Sequence, residues 1–257
     1  LVLENVYNQE PLSYDEIMEW CRSQAEFFKD YICDVGTLLG AAADQGKNIL
    51  FEAQLGALRD IDYGIYPFTS SSNTIASYAP IGAGIPGRAL DNVVGVMKAY
   101  STCVGEGPFA AEKAMGEAWN EKLRESGGEF GAATGRPRRV GPFDAVASRY
   151  GIRCQKAQDI ALTKLDVLGA FDKIPVITGY RLHGVLLDSF PTDSRLEEAE
   201  PVIEELPGWG CDISGCRSWK ELPENARKYV CTLEKLVDHP IYLVSTGAER
   251  DAYLLRE

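Results

Sequence analysis

The sequence predicts an α/β protein built on a mainly parallel sheet with flanking helices and loop insertions. Three apolar segments have the length and composition of buried strands, at residues 160–162, 175–180 and 241–244. Helical patterns separate such segments, as in the stretch from Pro223 to about Val237. Strands that alternate with helices of this length are typical of parallel sheets.

The first part of the chain predicts two helices before any strand. Ser13 is the expected N-cap of a helix over residues 13–21, and a second helical stretch runs over about 31–45. Residues 48–52 are predicted to form a short buried strand. The segment 90–100 mixes helix and strand signals, so its type stays open.

Length, composition and charge limit the classes of function. The 257 residues, of which 45% are hydrophobic, suffice for one large domain or two ordinary ones with buried cores. A net charge of −12 argues against sequence-independent nucleic-acid binding, which depends on neutralising phosphates. No apolar run approaches the roughly 18 residues of a membrane span. We therefore expect a soluble, cytoplasmic protein without nucleic-acid or membrane partners, which binds anions only at local sites.

Cysteine and histidine usage favours neither a disulfide framework nor a zinc site. The seven cysteines form no zinc-type CxxC pair, and His183 and His239 are the only histidines. We expect reduced thiols in core or surface positions, no metal ligands in this chain, and structural or surface roles for both histidines. Asp60 and Asp62 could ligate magnesium, but alternating carboxylates before a glycine are more typical of turn and cap residues.

An arginine-rich loop is the first candidate binding site. Residues 131–139 read Gly-Ala-Ala-Thr-Gly-Arg-Pro-Arg-Arg, which places three guanidiniums behind a flexible glycine hinge. Arginine forks match carboxylate and phosphate geometry, and glycines let backbone amides approach a ligand closely. The loop therefore predicts an anion site, with a solvated basic turn as the alternative.

A second candidate site follows the strand at 160–162. Thr163, Lys164, Leu165 and Asp166 would lie at the carboxyl end of that strand, where open α/β sheets bind ligands. If the ligand is guanine, Asp166 can accept hydrogen bonds from N1 and the exocyclic amine, while adenine would leave the carboxylate unpaired. Four-residue matches are common by chance, so a surface turn is the alternative.

A glycine-rich phosphate loop, with which nucleotide-binding parallel sheets usually begin, is missing from the sequence. Neither GxxxxGK[ST] nor GxGxxG occurs, and the sequence starts at Leu1 rather than at methionine. We therefore expect the chain to be the later part of a larger protein.

Many short motifs, spread in order over most of the chain, carry a family resemblance. They lie at residues 51–56, 60–68, 71–74, 98–102, 104–105, 107–109, 129–131, 134–136, 163–168, 206–209 and 245–247. Together they resemble adenylosuccinate synthetase, the GTP-dependent ligase of purine biosynthesis, and their number and order argue against chance. The resemblance implies the P-loop-NTPase-like fold of that family, incomplete here, with residues 1–257 as the C-terminal portion of its single domain.

The same resemblance implies a two-step ligation. GTP phosphorylates the 6-oxo group of inosine monophosphate (IMP), and the amine of L-aspartate then displaces that phosphate, with Mg²⁺ as cofactor and a homodimer as the expected assembly. The backbone amides of residues 245–247 would meet the guanine O6. The resemblance assigns GTP binding to Arg138, Lys164, Leu165, Asp166, Ser245, Thr246 and Gly247; aspartate binding to Ala132, Ala133, Thr134, Gly135, Arg136 and Arg138; and IMP binding to Leu55, Ser70, Val104 and Arg136.

Several positions depart from the family pattern. Leu55 stands where the family has a glutamine, with Gln54 one place earlier, so a polar IMP contact is lost or comes from a shifted backbone. Ala133 replaces the first of two loop threonines, and Pro137 replaces an arginine and stiffens a loop that is expected to close on substrate. Cys103 stands where an arginine is common, and the sequence suggests no role for it.

The family's general base, an aspartate, and its partner histidine belong to an upstream region, so we expect no catalytic residue here and no complete reaction from this chain alone. One hypothesis is that the chain carries the guanine site and the aspartate loop of an active ligase. The other is a catalytically inactive nucleotide-binding or dimerisation remnant that has diverged at Leu55, Ala133 and Pro137. Sequence upstream of Leu1 would distinguish them. An unrelated GTPase-like switch is disfavoured because no Walker loop accompanies Asp166.

Overall fold

The chain divides into two units in the computed structural model, which describes residues 1–53 and 55–256. One unit comprises Leu1–Phe51 and Pro80–Arg88, and the other comprises Glu52–Ala79 and Ala89–Glu257. The helices are α1 (Val2–Asn5), α2 (Tyr14–Phe28), α3 (Val35–Asp44), α4 (Ala79–Gly82), α5 (Ala110–Lys113), α6 (Glu117–Gly127), α7 (Ala145–Gln155), α8 (Arg195–Glu198) and α9 (Glu224–Val237). The strands are β1 (Val94–Lys98), β2 (Ser101–Cys103), β3 (Arg139–Gly141), β4 (Phe143–Asp144), β5 (Asp159–Thr163), β6 (Lys173–Leu182), β7 (Val185–Leu186), β8 (Glu200–Pro207), β9 (Ile241–Ser245) and β10 (Tyr253–Leu255).

The smaller unit is helical, and local caps define its helices. Ser13 caps α2 as predicted: its hydroxyl accepts from the Glu16 amide at 3.2 Å, and its own amide donates to the Glu16 carboxylate at 3.1 Å. The second helix, α3, begins after Asp34 rather than near residue 31, because Asp34 is extended and accepts from the Thr37 amide at 3.1 Å. None of the residues in α1, α2 or α3 is buried.

The prediction of a strand at residues 48–52 was wrong. These residues adopt no strand in the structure, and the Leu50 side chain is 93% exposed. A short apolar run becomes a strand only where a neighbouring strand completes its backbone hydrogen bonds, and this property does not appear in the local sequence. Among the described residues, no helix combines the length and apolar character that a membrane crossing requires.

The main sheet of the larger unit has the strand order β1-β5-β9-β10. The first three strands are parallel, and β10 is antiparallel to β9. The predicted strands at 160–162 and 241–244 are confirmed, and the mixed signal at 90–100 resolves into β1. Ile160, Leu162 and Val244 are fully buried, and α9, which begins after Pro223 as predicted, contributes Tyr229 and Leu233 to the same core. The predicted α/β class is confirmed.

A second sheet is built around β6, which confirms the predicted strand at 175–180 and extends it at both ends. Strand β4 is parallel to β6, whereas β7 and β8 are antiparallel to it. Strand β8 was not predicted, because it is largely exposed and carries glutamates such as Glu204 and Glu205. Strands β2 and β3 form a separate antiparallel pair.

Most of the remaining structural expectations are confirmed. All seven cysteines are free thiols; three are exposed and four half-buried, so none fills the core. Trp209 is buried in the core and Trp219 packs against it. His183 lies in the exposed turn between β6 and β7, and the ring of His239 contacts the carbonyl of Gln158 at 2.9 Å.

Candidate functional site

The carboxyl ends of β1, β5 and β9 meet at one edge of the main sheet. Lys98 at the end of β1 pairs with Thr163 at the end of β5, and Leu162 of β5 pairs with Val244 of β9. Residues 163–166 (the base turn) therefore leave the sheet next to residues 245–247, which follow β9. Ligands of open α/β sheets bind at this edge.

Lys164 in the base turn has an unusual backbone. Its φ of 63° lies in the left-handed region, which costs a non-glycine residue about 1 kcal/mol. Its ammonium group donates to the Gly127 carbonyl at 2.7 Å, and its neighbour Leu165 is fully buried in the core. This hydrogen bond and the burial of Leu165 hold the aliphatic part of the Lys164 side chain across the turn. Asp166 follows at the start of a short 3₁₀ turn, half-buried and accessible from solvent.

An open cleft of about 450 Å³ lies beside Asp166. Its far side is formed by residues that follow Trp209, and the cleft is large enough for a nucleobase. Gly169 lets the two sides approach, since a Cβ there would lie 2.6 Å from the Cys211 carbonyl oxygen. The lining residues are Ser126, Asp166, Val167, Gly169, Ala170, Gly210, Cys211 and Asp212.

The turn after β9 is held by its own polar groups. Ser245 Oγ donates to the Gly247 carbonyl at 2.9 Å. Thr246 is fully buried: its hydroxyl donates to the Cys216 carbonyl at 3.1 Å and its amide to the Ala252 carbonyl at 2.8 Å. Thr246 can therefore offer its amide to a ligand only by breaking a bond that the turn already makes.

Residues 130–138 (the arginine loop) form a closed turn with an exposed tip. A bridge joins Phe130 to Pro137, and the Gly131 amide donates to the Arg136 carbonyl at 2.8 Å. A Cβ at Gly131 would lie 2.6 Å from Thr134 Oγ1, so a larger residue there would displace that hydroxyl. That hydroxyl also accepts from the Arg136 amide at 3.3 Å. The exposed tip consists of Ala132, Ala133, Thr134, Gly135, Arg136 and Pro137.

The three arginines of this sequence have different environments. Arg136 is exposed, and no acidic side chain of the described residues pairs with it. Arg138 donates to the buried carboxylate of Glu129 at 2.9 Å. Arg139 lies in β3 and donates to Glu112 at 2.6 and 2.8 Å, which raises its pKa. Of the three, Arg136 and Arg138 belong to the arginine loop, whereas Arg139 belongs to β3.

Glu129 is the central residue of the site, and the sequence showed it only as part of a motif. Its side chain is 1% exposed and accepts from Lys98 at 2.9 Å, from Tyr100 at 2.6 Å and from Arg138 at 2.9 Å. The Lys164 ammonium lies 3.9 Å away. Burial opposes the charged form, but the bonds from Lys98 and Tyr100 outweigh it and lower the pKa of Glu129.

The segment around Asp60 is organised by backbone hydrogen bonds. Asp60 is fully buried and accepts from the amides of Asp62, Tyr63, Thr74 and Ile75 at 2.9, 3.0, 2.5 and 3.3 Å. The interpretation of Asp60 as a turn residue is confirmed. Among the described residues, no group of three or more His, Cys, Asp or Glu side chains could hold a metal ion.

Arg59 joins two loops that the sequence did not connect. Its guanidinium donates to the Val104 carbonyl at 3.1 Å and to Cys103 Sγ at 2.7 Å, and its own carbonyl accepts from the Ser70 amide at 2.8 Å. Ser70 and Val104 are thus joined through one residue, Ser70 to its backbone and Val104 to its side chain, and Cys103 acquires a structural contact. Leu55 is 54% exposed, with a left-handed φ of 78°.

Comparison with known proteins decides the family. The family model described as adenylosuccinate synthetase matches residues 1–254. The chain belongs to the adenylosuccinate synthetase family. It is 48% identical over 255 residues to the adenylosuccinate synthetase of Trichlorobacter lovleyi and 46% identical to that of Pelobacter propionicus, in each case over 99% of this chain and 59% of the relative. The chain therefore spans about three fifths of the length of these curated relatives.

A solved adenylosuccinate synthetase has the same fold. The fully ligated enzyme from Plasmodium falciparum matches with a TM-score of 0.91 and 34% identity, over 99% of this chain and 61% of that chain. The fold expected from the family resemblance is therefore confirmed for the part of the protein that this chain spans.

Three of the positions that depart from the adenylosuccinate synthetase pattern lie at the protein surface. Leu55, Ala133 and Pro137 are all exposed, so none of the three substitutions disturbs the core. Pro137 takes part in the bridge that closes the arginine loop. Gln54 lies outside the described residues.

Proposed function

We propose that this chain is the C-terminal portion of a GTP-dependent ligase that joins IMP and L-aspartate, giving adenylosuccinate, GDP and phosphate. The γ-phosphoryl group of GTP passes to the 6-oxo oxygen of IMP; the aspartate amine then attacks C6, and the carbon–oxygen bond breaks as phosphate leaves. The observation that carries the proposal is that Glu129 contacts both the arginine loop and the base turn, and that the base turn leaves the sheet beside the turn after β9.

The base turn supports guanine recognition. Asp166 lies at the cleft, where its carboxylate can accept hydrogen bonds from the N1 and exocyclic amine edge of guanine. Lys164 and Leu165 hold the turn in place. Residues 245–247 complete this side of the site, with the amide of Gly247 rather than that of Thr246 as the available donor for O6, because the Thr246 amide is already bonded.

The arginine loop supports aspartate recognition. Its exposed tip carries Arg136 and the backbone of Ala132, Ala133 and Gly135, while Thr134 braces the tip from within. Arg138 at its base is half-buried, and its Nε atom has no hydrogen-bond partner among the described residues. An arginine at the tip and one at the base can engage two carboxylates, as a dicarboxylic amino acid requires.

We assign the IMP contacts of this chain to Ser70, Val104, Arg136 and the backbone at Leu55. Arg59 holds the segments of Ser70 and Val104 together, which supports a shared role for them. The Ser70 hydroxyl is engaged with the backbone of Ser72 at 3.1 Å, so it orders the loop before any ligand arrives.

On this proposal Mg²⁺ accompanies GTP, and the whole protein is a homodimer. The described residues do not offer a set of carboxylate, histidine or cysteine ligands for the metal, so we assign none of them to it. The general base and its histidine partner belong to the part of the family sequence that this chain does not span, and we propose no catalytic residue within the chain.

The test is reconstitution. This chain is joined behind the upstream portion of the Trichlorobacter lovleyi relative, and adenylosuccinate formation is measured with IMP, L-aspartate and either GTP or ATP. We expect GTP-dependent turnover and a KM for aspartate that rises at least tenfold in Arg136→Ala, because the tip arginine is lost. Arg22→Ala, which removes an exposed arginine of α2 that is distant in sequence from the arginine loop, is the control.

A folded reconstituted protein that binds GDP but forms no product would favour the alternative function, a catalytically inactive nucleotide-binding remnant. Turnover with ATP as good as with GTP would contradict the assignment of the base turn to guanine.

A further inference from the structure

Glu129 contacts residues from both halves of the site. Its Oε2 atom accepts from Arg138 of the arginine loop, and its Oε1 atom lies 3.9 Å from Lys164 of the base turn. The backbone reinforces both contacts: the Glu129 carbonyl accepts from the Arg138 amide at 2.9 Å, and the Gly127 carbonyl accepts from the Lys164 ammonium at 2.7 Å. One short segment, residues 127–129, therefore holds the two cations.

The side chains around Glu129 carry more positive charge than its single carboxylate neutralises, so they can also bind anionic ligands. Three cations surround this single buried carboxylate, and each is partly accessible: the side chains of Lys98, Arg138 and Lys164 are 30%, 35% and 40% exposed. A carboxylate whose only role was to neutralise one cation would need one cationic neighbour rather than three. The excess positive charge faces solvent at the site, where anionic substrates would enter.

We infer that Glu129 is a positioning residue that couples the base turn to the arginine loop, so that bound guanine nucleotide and bound aspartate each favour binding of the other. This inference rests on the proposed function. Glu129 does not touch substrate on this view. It acts through Arg138 and Lys164, whose positions it sets.

The sign of the coupling follows from the shared segment. A nucleotide that orders the base turn also orders Lys164, and through Gly127 and Glu129 it orders the base of the arginine loop. The second ligand then meets a loop whose conformational freedom is already reduced, which gives positive cooperativity. Linkage requires that aspartate tighten nucleotide binding by the same factor.

The experiment measures the dissociation constant of fluorescent GDP by anisotropy, with the reconstituted protein described above, in the absence and presence of saturating L-aspartate. We expect aspartate to tighten GDP binding about fivefold or more in the wild type and less than twofold in Glu129→Gln, which keeps the side-chain shape but removes the charge. Glu125→Gln, at an exposed position in α6, the helix that ends just before Glu129, should keep the wild-type coupling. Thermal unfolding verifies that each variant is folded.

Glu129→Asp serves if the glutamine variant does not fold. It keeps the charge but shortens the side chain by one methylene. We therefore expect aspartate to tighten GDP binding less than in the wild type and more than in Glu129→Gln. Wild-type coupling in a folded Glu129→Gln or Glu129→Asp variant would overturn the inference, as would a wild type that binds GDP with no response to aspartate. A folded wild type that does not bind GDP would instead remove the proposed function, and the inference with it.

Discussion

Replacing Asp60 by asparagine should destabilise the segment that carries the proposed IMP contacts. Each Asp60 carboxylate oxygen accepts two backbone amides, those of Asp62 and Tyr63 on Oδ1 and those of Thr74 and Ile75 on Oδ2. Asparagine replaces one oxygen by an NH₂ group, so two buried amides lose their acceptor. Hydrogen bonds to a charged group contribute about 1.5–3 kcal/mol each, which predicts a loss of about 3 kcal/mol or more in the free energy of unfolding.

The assay is urea unfolding followed by circular dichroism, with hydrogen exchange at the amides of Thr74 and Ile75 as a local readout. Asp62→Asn is the matched control, because Asp62 is exposed and its side chain accepts only from Asn73 Nδ2 at 2.8 Å among the described residues. The reasoning is refuted if Asp60→Asn unfolds within about 0.5 kcal/mol of this control, the scatter usual for surface changes, and its amides stay protected.

Three further outcomes can be checked by the same unfolding measurements. Because the pKa of Glu129 is below its ordinary value of 4.5, its charge stabilises the fold at neutral pH and this contribution is lost on acidification; the stability advantage of wild type over Glu129→Gln should be fully present well above pH 4.5 and shrink as the pH falls below that value. Gly141→Ala should cost about 3 kcal/mol or more, since its Cβ would lie 2.2 Å from the Ala111 carbonyl oxygen, whereas Gly215→Ala meets no atom within 4 Å and should be near neutral. Tyr229→Phe removes a buried 2.6 Å hydrogen bond to a backbone carbonyl and should cost about 1–2 kcal/mol; an unchanged stability would contradict the role of that bond.

The elements that the sequence predicted well are those whose signals are local. Ser13 and Glu16 form a capping box four residues long, and the apolar runs of β5 and β9 are short and continuous, with residues 160–162 of β5 buried and β9 buried or half-buried along its length. The strand predicted at residues 48–52 failed because its existence depends on a partner elsewhere in the chain. Strand β8 was missed for the opposite reason: β6 pairs with it along its length, but its own side chains are mostly exposed.

The candidate site divides in the same way. Lys164, Asp166 and the arginine loop could be found because their residue types carry the chemistry in one short stretch. Glu129 is separated from Lys98 by about thirty residues and from Lys164 by slightly more, so no local pattern shows that they meet. The parallel pairing of β1 with β5 brings Lys98 close to Lys164, and the segment after α6 places Glu129 between them. The different environments of Arg136 and Arg139 likewise depend on Glu112, which no local pattern connects to the loop.

Guanine selectivity at Asp166 is the property to measure first. Fluorescent GDP is titrated into this chain by anisotropy, with GTP and ATP as competitors, in the wild type, in Asp166→Asn and in the control Asp172→Asn, an exposed carboxylate six residues further along. We predict that GTP competes and ATP does not, and that Asp166→Asn weakens GDP binding about ten- to hundredfold, as loss of a charged hydrogen-bond acceptor requires, while Asp172→Asn leaves it unchanged. Equal competition by ATP, or wild-type GDP affinity in a folded Asp166→Asn variant, would contradict a guanine site at the base turn.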